Sequence, residues 1–413
     1  MQNASEHKEP GIPVPLRQEH LPRVDLLRAL AILMVIGLHA LGAQFRMDSL
    51  PWAGDFYDYN SAPHPAFLTF YILTFGWLGV VLFFVISGFC IHLSFLKWEQ
   101  KTSAKAGTQR FVGQFYFRRF WRIYPVYLVA LLFFTIVRVT NLWSWRAIKM
   151  VAIHAALLHN FNFGHFFAIN GAFWSIAVEC QLYLVYPLVI LCRRYAGAAI
   201  AFTGLALFAF FYPALVPKMT ASEPLRFALG QMPFSYWPQW LIGAWVAERW
   251  IARRPPIPFS RVCIYLSIIA YVGMSQYRPL SGWSVDLIIV LFALILEAFI
   301  WNSKPLTKLE KLLVPVGLSS YSIYLFHGIM FEVFDWVHQH VYRPSPYFDF
   351  VVALPVVFLI ILLPCWLSYR FIELGSIRLG NWLWGKTHQR RMDQSAAPSI
   401  LPAPGPGVAE EAL

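Results

Sequence analysis

The sequence predicts an all-α, polytopic membrane protein with about ten transmembrane helices and both termini in the cytoplasm. Three observations carry that reading. The 413 residues are 58% hydrophobic and only 13% charged, far from the ordinary soluble composition. Apolar runs of spanning length recur from residue 26 to residue 370. Lysine and arginine gather on alternate sides of those runs, which fixes their direction.

The runs fall at 26–43, 75–95, 123–140, 176–192, 196–214, 234–250, 261–277, 284–302, 315–335 and 349–370. Residues 1–24 are polar and charged, without an apolar signal core or a small-residue cleavage site, so the first run is expected to stay as an uncleaved span. A patch at 147–158 is too short to span and is expected to lie re-entrant or interfacial. With the N-terminus inside, the outside loops keep Arg46, Arg138, Arg146, Lys149, Lys218, Arg226, Arg278 and Arg343, and the rest of the 33 Lys and Arg stay in the cytoplasm. The net charge of +12 then serves orientation and contact with anionic lipid headgroups, and gives no reason to invoke nucleic acid. No internal repeat of the kind that marks many transporters is evident. The chain is thus divided into a cytoplasmic segment 1–24, a transmembrane domain 25–380 and a tail 381–413. The tail is rich in Pro, Ala and Ser after about Lys386 and is expected to be disordered. Cys90, Cys180, Cys192, Cys263 and Cys365 sit in or beside apolar segments with no metal-ligand spacing, so neither a disulfide nor a metal is expected.

Four clusters carry chemistry. In the first run Arg28 is placed at the membrane rim and His39 about 16 Å deeper, near the middle of a ~30 Å core. An ionisable group at that depth usually faces a protein interior or a water path and is a functional candidate. The second cluster, Phe117-Arg118-Arg119-Phe120-Trp121-Arg122-Ile123-Tyr124-Pro125, leads into the third run. If helical, Arg118 and Arg122 share a face suited to phosphate, although arginines with interleaved aromatics also serve as a positive-inside anchor. The third, Phe173-Trp174-Ser175 through Tyr183, opens the fourth run. Glu179 lies about 21 Å from the rim at Arg193, a depth overlapping that of His39, where a carboxylate raises the basicity of an imidazole and fixes its tautomer. A buried ion pair without catalysis is the plainer alternative. The fourth cluster puts Ser320, Tyr324 and His327 at helical spacing in the ninth run. His327, about 24 Å from Lys311, is placed at an outer vestibule or in a purely structural role. Small residues at Gly79, Ser87 and Gly88 read as close helix packing.

Taken together and in order, these pieces resemble acyltransferase family 3, the membrane acyltransferases that include O-antigen acetylases, Nod-factor acetylases and macrolide acyltransferases. The resemblance covers nearly all of 22–373. It rests on Asp25-Leu26-Leu27-Arg28-Ala29 with His39, Gly79 to Gly88, Arg118-Arg119 with Arg122-Ile123-Tyr124-Pro125, Trp174-Ser175 with Glu179 and Tyr183, Ser320-Tyr321-Ser322 with Tyr324 and His327, and Tyr369 with Glu373. Leu374-Gly375 follows the last Glu where many members have Pro or Arg-Pro, and Cys180 stands where a second Glu is common.

The resemblance implies O-acyl transfer in the inner (plasma) membrane, from acetyl-CoA as co-substrate, without a permanently bound cofactor, to a hydroxyl of a saccharide or glycosylated acceptor. Arg28, Arg118, Arg119 and Arg122 would hold the CoA phosphates. His39, oriented by Glu179, would act as general base or carry the acyl group, and Trp174, Ser175, Tyr324 and His327 would meet the acceptor. A proton-coupled transporter of a polar substrate is the rival from another class, since mid-membrane His and Glu also build proton relays.

Overall fold

An apolar solvent offers no partner to a backbone N–H or C=O, so a spanning chain must satisfy them within itself, and helices do so segment by segment. The computed structural model describes residues 21–45, 71–101, 108–258, 260–276, 278–341 and 345–396; they are helical with short connections and contain no strand. Six helices among them are long and apolar enough to cross a membrane: Pro22–Gly42, Ile72–Lys101, Gln109–Arg138, Phe173–Ala196, Ala198–Met219 and Val351–Thr387. The expected runs 26–43, 75–95, 123–140, 176–192, 196–214 and 349–370 fall on these six.

In chain order, α1 (Pro22–Phe45) begins on a proline, whose missing N–H costs nothing in a first turn. A 3₁₀ turn (Tyr71–Trp77) leads into α2 (Leu78–Lys101). The third helix, α3 (Thr108–Arg138), starts well before the apolar run at 123, because the arginine-bearing stretch is helical too. Then come α4 (Trp145–Ala155), capped by the Ser144 hydroxyl, the short α5 (Phe163–Phe166) and α6 (Phe173–Ala196). Gly197, at φ 78°, turns the chain from α6 into α7 (Ala198–Met219), a conformation that glycine adopts without steric cost. After α8 (Glu223–Gly230) follow α9 (Trp237–Ile251), α10 (Ser260–Gln276) and α11 (Arg278–Ile300), where the expected runs 234–250, 261–277 and 284–302 lie.

The ninth expected run, 315–335, is not one helix. It is divided into α12 (Lys308–Leu318), α13 (Ser320–Phe326) and α14 (Ile329–His340). Pro315 removes a backbone donor and Ser319 bonds back to the Pro315 carbonyl at 2.8 Å, so the helix ends there. Hydropathy registers the run but not the break. Finally α15 (Leu354–Leu367) and α16 (Leu374–Ala396) are joined by a π-helical turn, Ser368–Glu373. Helical backbone thus continues past Lys386, where composition alone places the start of the tail.

The described residues form two compact units: one from residues up to Ile91 and Gln239–Ser320, the other from His92–Pro238 and Tyr321 onward. The first is held by glycine contacts. A Cβ on Gly88 would overlap the Trp240 carbonyl, and one on Gly243 the Val85 carbonyl, so α2 and α9 cross with backbones in contact. Gly79 meets α1 at Ala31 in the same way, and Gly317 of α12 meets it at Asp25. In the second unit Tyr127 and Phe134 of α3 pack edge-on against Phe173 of α6, with ring centroids 5.0 and 6.1 Å apart. Gly380 of α16 lies against the Trp121 ring.

Gly317→Ala is expected to destabilise the protein by ~1–3 kcal/mol, the usual effect of overpacking a tight contact. Gly113→Ala, with open space around it, is expected to be neutral or slightly stabilising. Thermal unfolding in one detergent checks the pair, and equal melting temperatures would contradict the close approach of α12 to α1.

Candidate active site

In the first unit, Asp25 and Arg28 stand one turn apart on α1. Their charges meet at 2.8 Å between Arg28 Nη1 and Asp25 Oδ1, and Asp25 is only 2% exposed. Arg28 Nη2 also donates to Cys90 Sγ at 3.3 Å. The guanidinium is therefore held from two sides, and the contact of Gly317 with the Asp25 backbone fixes the level of the pair along α1. His39, half-buried two to three turns further on, donates from Nδ1 to the Val35 carbonyl at 2.8 Å. A neutral imidazole that donates from Nδ1 keeps its lone pair on Nε2, the nitrogen able to take a proton.

In the second unit, α3 carries the arginine cluster. Arg118 is exposed, whereas Arg119 and Arg122 are half-buried. The Arg119 guanidinium lies between two rings, 5.7 Å from that of Phe115 and 5.6 Å from that of Tyr183. On its other side Tyr183 donates its hydroxyl to Glu179, one turn back on α6. Arginine, phenol and carboxylate thus form one chain of contacts. Tyr183 entered the sequence reading only as a letter of a motif; its i, i+4 spacing from Glu179 is the signal that points to the bond. His39 and Glu179, paired by depth in the sequence, belong to different compact units, and each has a partner of its own.

Three of the expected acceptor residues come together. Ser175 Oγ and the Tyr324 hydroxyl are 2.7 Å apart and buried, and His327 donates from Nδ1 to the Tyr324 carbonyl at 2.6 Å. Trp174 instead faces away along α6, stacked on Phe166 at 5.4 Å and 5.9 Å from Tyr236. Arg138, at the end of α3, closes this region. It donates to Glu332 at 2.6 Å, to the Ile169 carbonyl at 2.8 Å and to the Gly328 carbonyl at 3.0 Å, just past His327.

The patch expected to be re-entrant or interfacial is α4, which runs back along α3. Tyr127 and Tyr124 of α3 donate to its last carbonyls, at His154 (2.8 Å) and Ala155 (3.1 Å), which satisfies a helix end that water cannot reach. His154 stacks on His159 with centroids 4.1 Å apart and planes 8° from parallel, both rings fully buried. Burial, and then the neighbouring His154, push the His159 imidazole down to about 3 against a smaller pull upward from the Phe173 backbone, so it is neutral.

A model of the acyltransferase domain family matches residues 21–370, which contain every residue named above from Asp25 to His327. The chain belongs to acyltransferase family 3. A peptidoglycan O-acetyltransferase, OatA, of Listeria monocytogenes is 23% identical over 394 residues, covering 86% of this chain and 56% of its own length. An O-acetyltransferase OatA of Staphylococcus aureus strain NCTC 8325 is 26% identical over 383 residues, covering 86% and 57%. A putative O-acetyltransferase of S. aureus strain COL is 25% identical over 421 residues, covering 91% and 61%. The chain spans a little over half the length of the curated relatives it matches. No solved structure matches. With its long apolar helices, this family member is a multi-pass membrane protein.

Arg138→Met is expected to lower the melting temperature, because three carbonyl or carboxylate acceptors lose their donor at ~1–2 kcal/mol each before solvent screening. Limited proteolysis between residues 139 and 172 should accelerate in step. Unaltered cleavage there would show that Arg138 does not hold the segment.

Proposed function

We propose that the protein is an integral membrane O-acyltransferase that moves an acyl group, acetyl in the first instance, from cytoplasmic acyl-CoA to a hydroxyl of a saccharide or glycosylated acceptor at the plasma membrane. The observation that carries this reading is the contact chain from Arg119 through Tyr183 to Glu179, which links a cluster suited to phosphate with a carboxylate inside an apolar helix. Family membership and the names of the O-acetyltransferase relatives support it.

In this scheme about ten spans, with both termini in the cytoplasm, put Arg118, Arg119 and Arg122 on the side of the nucleotide. Guanidinium groups there, with Arg28, bind the CoA phosphates in bidentate fashion. His39 Nε2 takes the proton of the acceptor hydroxyl as its oxygen attacks the thioester carbonyl. The tetrahedral intermediate collapses with cleavage of the C–S bond, and the CoA sulfur leaves as the thiol with the proton held by His39. Glu179 supports the imidazolium that forms, and Tyr183 orients Glu179 through its hydroxyl. Trp174, Ser175, Tyr324 and His327 serve the acceptor.

Membranes containing the wild type are expected to move label from radiolabelled acetyl-CoA into extracted envelope glycans. His39→Ala should abolish transfer by at least ~10³-fold while CoA still stabilises the purified protein against heat. Arg118→Ala combined with Arg122→Ala should raise the donor KM about tenfold or more with kcat little changed, the pattern of lost uniform binding. Tyr183→Phe keeps the ring beneath Arg119 and removes the hydroxyl, so it should lower kcat and leave the donor KM near its original value. Normal transfer by His39→Ala would remove that residue from the mechanism.

A further inference from the structure

In the first unit a cleft of about 240 Å³ lies between α9 and α11, lined by Ile242 and Trp245 of the one and by Val290, Ala293, Leu294 and Glu297 of the other. Both oxygens of the buried Glu297 are engaged: Oε1 accepts from Arg249 Nε at 2.7 Å and Oε2 from the Ile257 backbone N–H at 3.0 Å. With that carboxylate paired, the side chains around it are apolar. Trp245 and Val290 are exposed, so the cleft opens outward. Its volume falls below the ~300 Å³ at which pockets begin to hold drug-sized ligands, and an apolar lining rewards a stretch of hydrocarbon rather than a sugar or a nucleotide. None of the residues assigned to acyl transfer lines it.

The loop after α9 is folded back beside this cleft. Arg249 Nη2 donates to the Pro255 carbonyl at 2.7 Å, and Ile257, held by Glu297, is itself part of the lining. Arg253 and Arg254, both exposed, stand in the short stretch between these anchors. The helix ends in a Schellman motif: the Arg254 N–H bonds the Arg249 carbonyl at 3.0 Å and the Arg253 N–H bonds the Trp250 carbonyl at 3.1 Å. Arg253 occupies its left-handed position at φ 54°, where glycine is the usual residue because a Cβ is penalised there. Backbone strain of this kind concentrates at binding sites. Trp250 and Trp301, with ring centroids 4.9 Å apart, lie at the ends of α9 and α11, and tryptophan collects at the headgroup level of a bilayer.

We infer that this cleft binds one anionic phospholipid, with an acyl chain against Trp245, Val290 and Leu294 and the phosphate on Arg253 and Arg254. Basic groups beside a gap between membrane helices select anionic headgroups, and guanidinium groups hold phosphate in bidentate fashion. A zwitterionic lipid would bring its ammonium group up to the same two arginines. A phosphate without chains would leave the apolar cleft unfilled. The inference stands whether or not the acyl-transfer reading does.

The test uses the full-length protein, delipidated in detergent, with palmitoyl-oleoyl phosphatidylglycerol, the matching phosphatidylcholine and inorganic phosphate as probes. Binding is read by native mass spectrometry and unfolding by heat. The wild type is expected to retain one phosphatidylglycerol with ~10-fold preference over phosphatidylcholine, and to melt later with it, as two arginines near the headgroup would give. Arg253→Gly combined with Arg254→Gln should erase the preference. Arg253→Gly alone should reduce it and yet melt no lower than the wild type without lipid, because glycine takes the left-handed position freely. Val290→Trp, at an exposed position, should fill the cleft and abolish retention of either lipid. Equal retention of the two lipids by the wild type, or an undiminished preference in the double variant, would overturn the assignment by leaving the arginines as topology signals. Undiminished retention by Val290→Trp would remove the cleft from the site, and equal stabilisation by inorganic phosphate would replace the lipid with a simple anion.

Discussion

Each polar group placed in an apolar medium must find a partner, and that requirement organises the molecule from its backbone to its candidate site. It makes the chain helical, and it decides what happens where helices stop. The last carbonyls of α4 end beside α3, where water is scarce, and two tyrosine hydroxyls take the place of water. At the end of α12 the Ser319 backbone N–H and hydroxyl both bond the Pro315 carbonyl. Arg138 gathers two carbonyls and a carboxylate around the chain turns at Ile169 and Gly328.

The same rule governs charged side chains. Asp25 and Glu297 are each 2% exposed, and each has an arginine, Arg28 at 2.8 Å and Arg249 at 2.7 Å. An isolated buried carboxylate would be far more costly than such a pair. Glu179 is served by a phenol, and the phenol's ring is covered by Arg119.

Glycine supplies the complementary constraint. Where helices bring backbones into contact, at Gly88 with Trp240, Gly243 with Val85 and Gly317 with Asp25, no side chain fits. The last of these is the bridge between packing and chemistry, because the backbone that Gly317 touches belongs to the residue that holds Arg28. Gly317 therefore sets the position of α1 at Asp25 by direct backbone contact.

Much of this protein was determined by its sequence. Hydropathy placed the six long helices, since a run of apolar residues has one stable form in a bilayer. Motif order identified the family, since Arg28, His39, the arginine cluster and Glu179 follow one another within the matched residues 21–370. Spacing read the glycines of α2 correctly as packing residues. Tertiary structure alone decided the rest. The run 315–335 is divided because a proline and a back-bonding serine act on single hydrogen bonds, which averaged hydropathy cannot register. Tyr183 became the partner of both Glu179 and Arg119 because α6 and α3 pack side by side, and depth along separate helices, the one coordinate a sequence supplies, carries no rotation or distance between them.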